Sequence, residues 1–325
     1  MKTKNNYWFL LFIIISFTLI TCKKENNISL PTVKTYSPLY IASTAATVGC
    51  SVESDGGSAI LDCGLYMGIS QNPETSGTKL QIGSDTGVFL GIVNGLSPNI
   101  QYYIKAYAQN AKGESLGDQV TFTTPGTITD YDNNIYETVK IGTQTWMAKN
   151  LKTTHYVNGD LIGTSNPSTL DISYETSPEY QWSYGGDDAN ALIYGKLYTW
   201  YTITDTRKVC PVGWHIPTDA EWATLEFELG GYIIAGSELK EARNSHWISP
   251  YNLDANNISC FNALPGGYRN QTGGFSYIGN YGNWWSSTQG DVSTAWVRSL
   301  FVQSGQVSRM DFLKWYGASV RCIKD

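Results

Sequence analysis

Two β-rich domains in tandem, an all-β sandwich followed by an α+β domain, are the fold class this 325-residue sequence predicts. Three observations carry that expectation. From Val33 to Thr124, short segments of alternating apolar and polar residues are broken by turn residues at intervals of about ten positions, the pattern of a sandwich. After Thr124-Pro125-Gly126 the composition turns aromatic and glycine-rich. Charged residues make up only 15% of the chain, while Gly (32), Tyr (22) and Trp (11) are plentiful. That balance suits a loop-rich extracellular fold better than a helical cytosolic one. The formal net charge of −6 comes without a basic patch or an arginine-rich run, which argues against nucleic acid as a partner.

The N-terminal element is a leader. Met1 to Asn6 carries Lys2 and Lys4 and no acid, and Trp8 to Ile20 is almost wholly apolar. This is the charged and hydrophobic pair of regions of a secretory signal, too short for a comfortable membrane span. Leu19-Ile20-Thr21-Cys22 follows and resembles the lipobox of bacterial lipoproteins. The resemblance implies a signal peptide over 1–21, lipidation of Cys22 and a flexible tether over 22–32; several acyl chains on one residue anchor stably. A cysteine that merely closes a hydrophobic segment is the alternative. Lys23 and Lys24 follow without an aspartate, which by the same resemblance directs the protein to the outer membrane. Lys24-Glu25 partly matches a surface-export signal, so the cell surface is the expected location and the membrane the first partner.

The sandwich is expected over 33–125. Ala45 to Val52 and Ile60 to Met67 read as strands around Ser54-Asp55-Gly56-Gly57, with further strands at Val88 to Val93, Gln101 to Gln109 and Gln119 to Thr123. In Leu96-Ser97-Pro98-Asn99-Ile100-Gln101-Tyr102-Tyr103-Ile104-Lys105-Ala106, period two places Leu96, Tyr102, Ile104 and Ala106 on one face. The motif resembles the fibronectin type III corner of immunoglobulin-like sandwiches, in which a tyrosine hydroxyl bonds back to the preceding loop; Tyr102 holds that place. Cys50 and Cys63 flank the Asp55-Gly56-Gly57 turn. A disulfide between them across neighbouring strands is one expectation, and two buried thiols the other.

The second domain is expected over 127–325. It opens with two strands around Gly142-Thr143 and then presents Tyr194-Gly195-Lys196-Leu197-Tyr198, Cys210-Pro211-Val212-Gly213-Trp214-His215-Ile216-Pro217-Thr218, Leu264-Pro265-Gly266-Gly267-Tyr268-Arg269, Trp284-Trp285-Ser286-Ser287 and Ser319-Val320-Arg321-Cys322. Together these ordered motifs resemble the Fibrobacter succinogenes major paralogous domain of secreted bacterial proteins. The Ile216-Pro217-Thr218-x-x-Glu221-Trp222 element is similar to one in the formylglycine-generating-enzyme superfamily, which implies a C-type-lectin-like fold. Independently of any family, Thr218 and Glu221 form a capping box. Trp222, Leu225, Phe227 and Leu229 supply an apolar helical set that Gly230-Gly231 ends. A second short helix is expected from Ser237 through Arg243. Thr294 to Val302 and Gln306 to Phe312 read as a hairpin around Ser304-Gly305, and Gly317 to Ile323 as the closing strand. The lectin-like resemblance implies a Cys210–Cys322 disulfide, with Cys260 left over as a small buried residue. Five cysteines besides Cys22 form an odd set, so at least one is unpaired.

Catalysis is hard to build from this sequence, and the expectation is that the protein is not an enzyme. His155, His215 and His246 are widely separated and have no metal-ligand spacing. No nucleophile elbow, phosphate loop or dinucleotide fingerprint occurs. Formylglycine-generating enzymes use two close cysteines near the C-terminus, where this chain has only Cys322. Two oxygen-rich clusters, Asp130, Asp132 and Asn133, and Asp187, Asp188 and Asn190, offer calcium ligands, with Asx turns as the alternative. The Glu-Pro-Asn and Gln-Pro-Asp signatures of calcium-dependent sugar binding are missing. Trp146, Trp200, Trp214 and Trp222 are expected in the core. Trp284 and Trp285 are consecutive, so one is expected to face out and form a ligand face with Tyr268 and Arg269. The functional expectation is a surface binding or adhesion module for a glycan or a surface protein. Its alternatives are a structural subunit of a surface or pilus-like assembly, and an enzyme of unknown type.

Overall fold

The computed structural model describes residues 27–242, 245–248 and 255–325; Cys22 and the expected signal peptide over 1–21 lie outside the described residues. Alternating apolar residues set the first eight strands: β1 (Thr32–Thr35), β2 (Tyr40–Ala42), β3 (Ala45–Ser54), β4 (Asp62–Gly68), β5 (Thr78–Gly83), β6 (Gly87–Asn94), β7 (Gln101–Asn110) and β8 (Gly113–Thr123), with the single-turn helix α1 (Pro73–Ser76) after β4. β3 is the spine of one sheet, flanked by β6 on one edge and by β1 and β2 on the other. β5-β4-β7-β8 form the opposing sheet. Ala46, Val48 and Cys50 of β3 meet Leu65, Tyr102, Ile104, Ala106 and Phe122 of the other sheet in one buried cluster. The Tyr102 hydroxyl accepts the Ser97 N–H at 2.9 Å, which pins the loop ahead of β7.

One disulfide expectation fails here. β3 and β4 are not paired, because the residues after Gly57 carry the chain from one sheet to the other instead of closing a hairpin. Cys50 and Cys63 are free and buried on opposite sheets. Burial, with the neighbouring Cys63 adding to it, pushes the Cys50 thiol up to about 12, so it stays protonated and unreactive.

The second body begins with the short pair β9 (Ile128–Thr129) and β10 (Ile135–Tyr136), then the hairpin β11 (Thr138–Ile141) and β12 (Gln144–Met147). Gly142 turns that hairpin at φ 58°, a left-handed conformation glycine adopts without strain. β11 does not stop at its own domain. It pairs with β2 through Val139–Ala42 and Lys140–Ile41, which covers an otherwise open edge. Tyr40, Ala42 and Ala45 share a core with Val139, Trp146, Trp222 and Trp247. Ser43 exchanges hydrogen bonds with Thr138, and Thr47 donates its hydroxyl to the Ile258 carbonyl at 2.5 Å. The two bodies are fused by a continuous sheet and a common core.

Two further short strands, β13 (Gln181–Trp182) and β14 (Leu197–Tyr198), pair with each other, and the helices α2 (Asp188–Tyr194) and α3 (Trp200–Thr204) flank β14. β15 (Trp214–His215) leads to α4 (Asp219–Glu228), which opens on the Thr218–Glu221 capping box. Trp222, Leu225 and Leu229 are buried, whereas Phe227 falls on the solvent side and is 79% exposed. α5 (Tyr232–Leu239) starts well before the expected Ser237. After the C-cap Leu229, Gly230 at φ 82° turns the chain out of α4 and Gly231 at φ 96° is the N-cap of α5.

A five-stranded sheet completes the body: β16 (Gly266–Arg269), β17 (Phe275–Ile278), β18 (Tyr281–Gln289), β19 (Thr294–Phe301) and β20 (Val307–Leu313), in the order β17-β16-β18-β19-β20. The closing strand shrinks to β21 (Ile323–Lys324), which pairs with β12 and β15. A Cys210–Cys322 disulfide ties the segment ahead of β15 to the residue before β21, with Cα atoms 5.9 Å apart. Cys260 is free and buried beside Thr47.

Three buried cations organise the loops without a buried acid. Arg321 donates to Asn150 Oδ1 and to the Met147, Phe261 and Asn262 carbonyls. Burial lowers its guanidinium to about 9. Arg269 donates to the Ser168, Leu170 and Asn270 carbonyls, and Lys314 to the Asp291 and Val292 carbonyls. Each cation serves as a hub that gathers backbone carbonyls of the surrounding loops.

Candidate functional site: an aromatic strip on the second sheet

The expected ligand face is mostly internal. Trp284 and Trp285 are 1% and 0% exposed, because β18 is the middle strand of its sheet and has a core on each side. Trp284 packs with Trp146 and Trp222, while Trp285 packs with Tyr198, Val297 and Phe312. Alternation therefore sends the two indoles into different cores rather than one to solvent. Arg269 is fully buried, its guanidinium 4.1 Å from the centroid of the Trp182 ring. Trp146, Trp214 and Trp222 lie in the core as expected, but Trp200 is only half-buried, beneath the Lys314 ammonium.

Tyr268 alone of the four takes part in a surface feature. On β16 it stacks with Tyr277 of β17 (centroids 5.8 Å apart, planes 29°) and with Tyr316 (5.7 Å, 6°). Tyr277 stacks almost parallel on Tyr281 (4.3 Å, 10°), and Tyr281 meets Phe301 edge-on at 4.7 Å. The five rings form a continuous strip along the sheet. It ends at an open cavity of about 600 Å³ walled by Tyr277, Tyr281 and Phe301, with Asn280, Gln303 and Ser304 as its polar members.

Tyr277 is the strip's most telling residue. It is 48% exposed and sits at φ 65°, a left-handed conformation that costs an aromatic residue energy. The Asn280 N–H donates to its carbonyl at 3.0 Å and closes the turn that holds the ring outward. Burial and the neighbouring phenols raise the Tyr268 hydroxyl above its ordinary value, so it is a neutral hydroxyl in ordinary solution. Flat apolar ring faces flanked by amides and hydroxyls can cover the C–H face of a sugar ring while hydrogen-bonding its edges. Sequence reasoning missed Tyr277, Tyr281, Phe301 and Tyr316. The alternation of Phe275, Tyr277 and Tyr281 about Gly279 was the available signal.

The expected calcium clusters are spent internally. Asp130 accepts from the Asn134 backbone and side-chain amides and from the Tyr136 hydroxyl. Asp132 accepts from Thr154 and lies 2.5 Å from His155 Nδ1, and Asn133 occupies a turn position at φ 62°. Asp187 caps α2 through the Ala189 N–H, Asp188 accepts from Ser183, and Asn190 donates to the Tyr184 carbonyl. Asp187 is a helix cap, and the other side chains tie neighbouring loops and turns together. Among the described residues, no three His, Cys, Asp or Glu side chains converge on a metal position.

The histidines are likewise each tied to acids. His155 pairs with Asp132 and His246 with Glu241. His215 is held between Asp325 (2.7 Å) and Glu221 (2.9 Å).

A β-rich protein with a sandwich fused to a helix-bearing sheet body, displaying an aromatic strip, is the class these features define. A family model for the Fibrobacter succinogenes major domain matches residues 139–324, more than half of the chain, so the chain belongs to the Fibrobacter succinogenes major domain family. A comparison with curated protein sequences finds no match. Among solved structures, the chain is similar to the sensor domain of the anti-sigma factor RsgI4 of Pseudobacteroides cellulosolvens, at 19% identity and TM-score 0.25, over 30% of this chain and 98% of that one. It is also similar to a fragment of titin, at 19% identity and TM-score 0.22, over 30% of this chain and 32% of that one.

Proposed function

We propose that this protein is a lipid-anchored, non-catalytic binding module of the bacterial outer surface, and that its second body holds a glycan against the aromatic strip. The observation that carries the reading is the outward Tyr277 stacked on Tyr281, at the mouth of an open cavity rimmed by amides. A residue held in a strained backbone conformation at an exposed position is a mark of use. A C-type-lectin-like fold for the second body is part of the reading, supported by the Cys210–Cys322 bond between the stretch before the capped helix and the last strand.

Anchoring at Cys22 fits the direction of the sandwich. The chain enters beside the Ser54–Gly57 end of β3, where the Ser29 N–H donates to the Gly56 carbonyl. The second body packs on the opposite end, at Ala45 and Thr47. A ten-residue strand spans about 33 Å, so the sandwich holds the binding body clear of the membrane.

A glycan array probed with the purified chain tests the central reading, and Tyr277→Ala should lower the affinity of any hit at least tenfold at an unchanged melting temperature. Retained affinity would remove the strip from the account. In cells, Cys22→Ser should move the protein out of the membrane pellet; unchanged sedimentation would end the anchoring proposal. A structural subunit of a surface assembly is the second reading, favoured by Phe227, Tyr232, Ile233 and Ile234, all between 48% and 79% exposed around the α4–α5 junction.

A further inference from the structure

A strand that ends a sheet presents a row of unpaired N–H and C=O groups, and soluble proteins guard such rows with charged side chains, prolines or a covering element. Among the described residues, four strands of six or more residues end a sheet: β5, β6, β8 and β20. β5 carries Lys79, β8 carries Glu114 and Asp118, and β20 carries Arg309 and Asp311. β6 reads Gly-Val-Phe-Leu-Gly-Ile-Val-Asn, without a charge or a proline.

All eight residues of β6 pair with β3, from Gly87–Val52 to Asn94–Ala45, and among the described residues no strand pairs with its other side. Its side chains alternate in the usual way. Phe89 and Val93 point into the sandwich core, while Leu90 lies on the outer face over Gly49 of β3. Val88 and Leu90 are 63% and 46% exposed. Ile92, next on that outer face, packs against the core the two bodies share. β5 leans on the inner face only, with Gly83 against Phe89 and Ile82 against Gly91. The strand is therefore supported on its inner face and open along its edge.

We propose that the β6 edge is the contact with a second copy of this chain, through antiparallel β6–β6 pairing about a two-fold axis at Leu90. Such a contact is isologous, so the strand must complement itself, and the sequence does so in this register. On the outer face Leu90 meets its own counterpart and Val88 meets Ile92, all apolar cross-strand pairs. On the inner face each pair sets a bulky residue against a glycine: Phe89 against Gly91, and Val93 against Gly87. Absence of charge matters here, because a two-fold places any charge at its centre opposite an identical one. The contact also extends one already present. Val88 of each copy comes to lie beside Ile92 of the other, at the margin of the core that joins the two bodies. The surface belongs to the sandwich, and its test does not depend on the glycan reading of the aromatic strip.

Sedimentation velocity of the purified chain tests this. One strand pair buries less than a standard interface, so a reversible monomer–dimer equilibrium that moves to dimer with concentration is expected; a chain that stays monomeric overturns the proposal. Leu90→Lys puts like charges together at the two-fold while its stem still covers Gly49, and should weaken the dimer at least tenfold. Leu90→Glu should do the same, and mixing the two variants should restore a dimer with one copy of each. If both variants are folded by circular dichroism and the mixture fails to associate, the pairing is refuted. Should either misfold, Leu90→Cys is a milder change that should cross-link two copies under mild oxidation. Val88→Cys should not, because in this register it lies four residues along the strand from its own counterpart, roughly 13 Å away and beyond disulfide reach; equal cross-linking of both would overturn the register. Phe227→Ser and Tyr277→Ala should leave the dimer intact. A dimer lost in Phe227→Ser and kept in Leu90→Lys would put the second copy on the α4–α5 surface and remove β6 from the account.

Discussion

Arg321 shows how much a single residue carries in this fold. Its guanidinium is fully buried with no carboxylate beside it, and its donors meet the carbonyls of Met147, Phe261 and Asn262. Arg321→Met keeps much of the volume and leaves those acceptors without their donor, at roughly 1–3 kcal/mol for each one that stays dry. We expect a loss of ~3–5 kcal/mol in urea denaturation, and a loss below ~1 kcal/mol would mean the carbonyls find other partners. His215 behaves differently because it is half-exposed. Burial alone would lower its pKa, but hydrogen bonds and charge from Asp325 and Glu221 prevail and raise it above the ordinary 6.5. A raised native pKa stabilises the fold fully below about 6.5 and ceases to do so as the pH climbs through the native value. His215→Gln should therefore lower the melting temperature at pH 6 and have a smaller effect at pH 9; an equal effect at both would rule out the charged imidazole. At this scale the sequence was a poor guide to exposure. Trp284 and Trp285 looked half-exposed because period two holds for any strand, and only tertiary packing reveals that β18 has a core on both faces.

Among the elements, α4 was readable because its signals are local. Thr218 and Glu221 satisfy each other's orphan amides within one turn: Thr218 Oγ1 accepts the Glu221 N–H at 3.2 Å, and Glu221 Oε2 accepts the Thr218 N–H at 2.7 Å. Thr218→Ala should cost about 1 kcal/mol, measured as a shift of the denaturation midpoint without a change in slope. A neutral result would mean that Glu221, also held by His215, caps the helix by itself. The β19–β20 hairpin was legible for the same local reason, an alternating pattern on both sides of a short turn. β5 was not, since Thr78 to Gly83 is only partly buried and alternates weakly. α5 was misplaced because Tyr232, Ile233 and Ile234 suggest a strand, and the helix is imposed by Gly231 and by close packing of Gly236 against Gly305 and Gln306. The strip rings come from β16, β17, β18, β19 and the segment after β20. No single motif holds them, which is why the sequence yielded only Tyr268.

For the whole molecule, Thr124-Pro125-Gly126 marks a change of composition but not a mechanical joint. The Gly126 carbonyl accepts the Ser43 and Thr138 hydroxyls at 2.8 Å each, so the boundary itself is stapled to both bodies. Interdomain motion is the default unless the interface is large and apolar. Here Tyr40, Ala42 and Ala45 lie in the second body's core, and β2 and β11 continue one sheet. Such pairing is invisible in sequence because it joins residues about a hundred positions apart, with no turn to announce it. The consequence is thermodynamic coupling: calorimetry of the chain should give one unfolding endotherm, not two. Thr47→Val is the probe, because it is nearly isosteric, lies on the sandwich's β3, and removes the hydroxyl that donates to Ile258 in the second body. If the bodies unfold as a unit, the substitution lowers the single transition by an amount equivalent to ~1–2 kcal/mol, and near-ultraviolet signals from the second body's tryptophans move with it. Two endotherms, or a sandwich that melts earlier while those signals stay in place, would mean that the continuous sheet aligns the bodies without joining their stabilities.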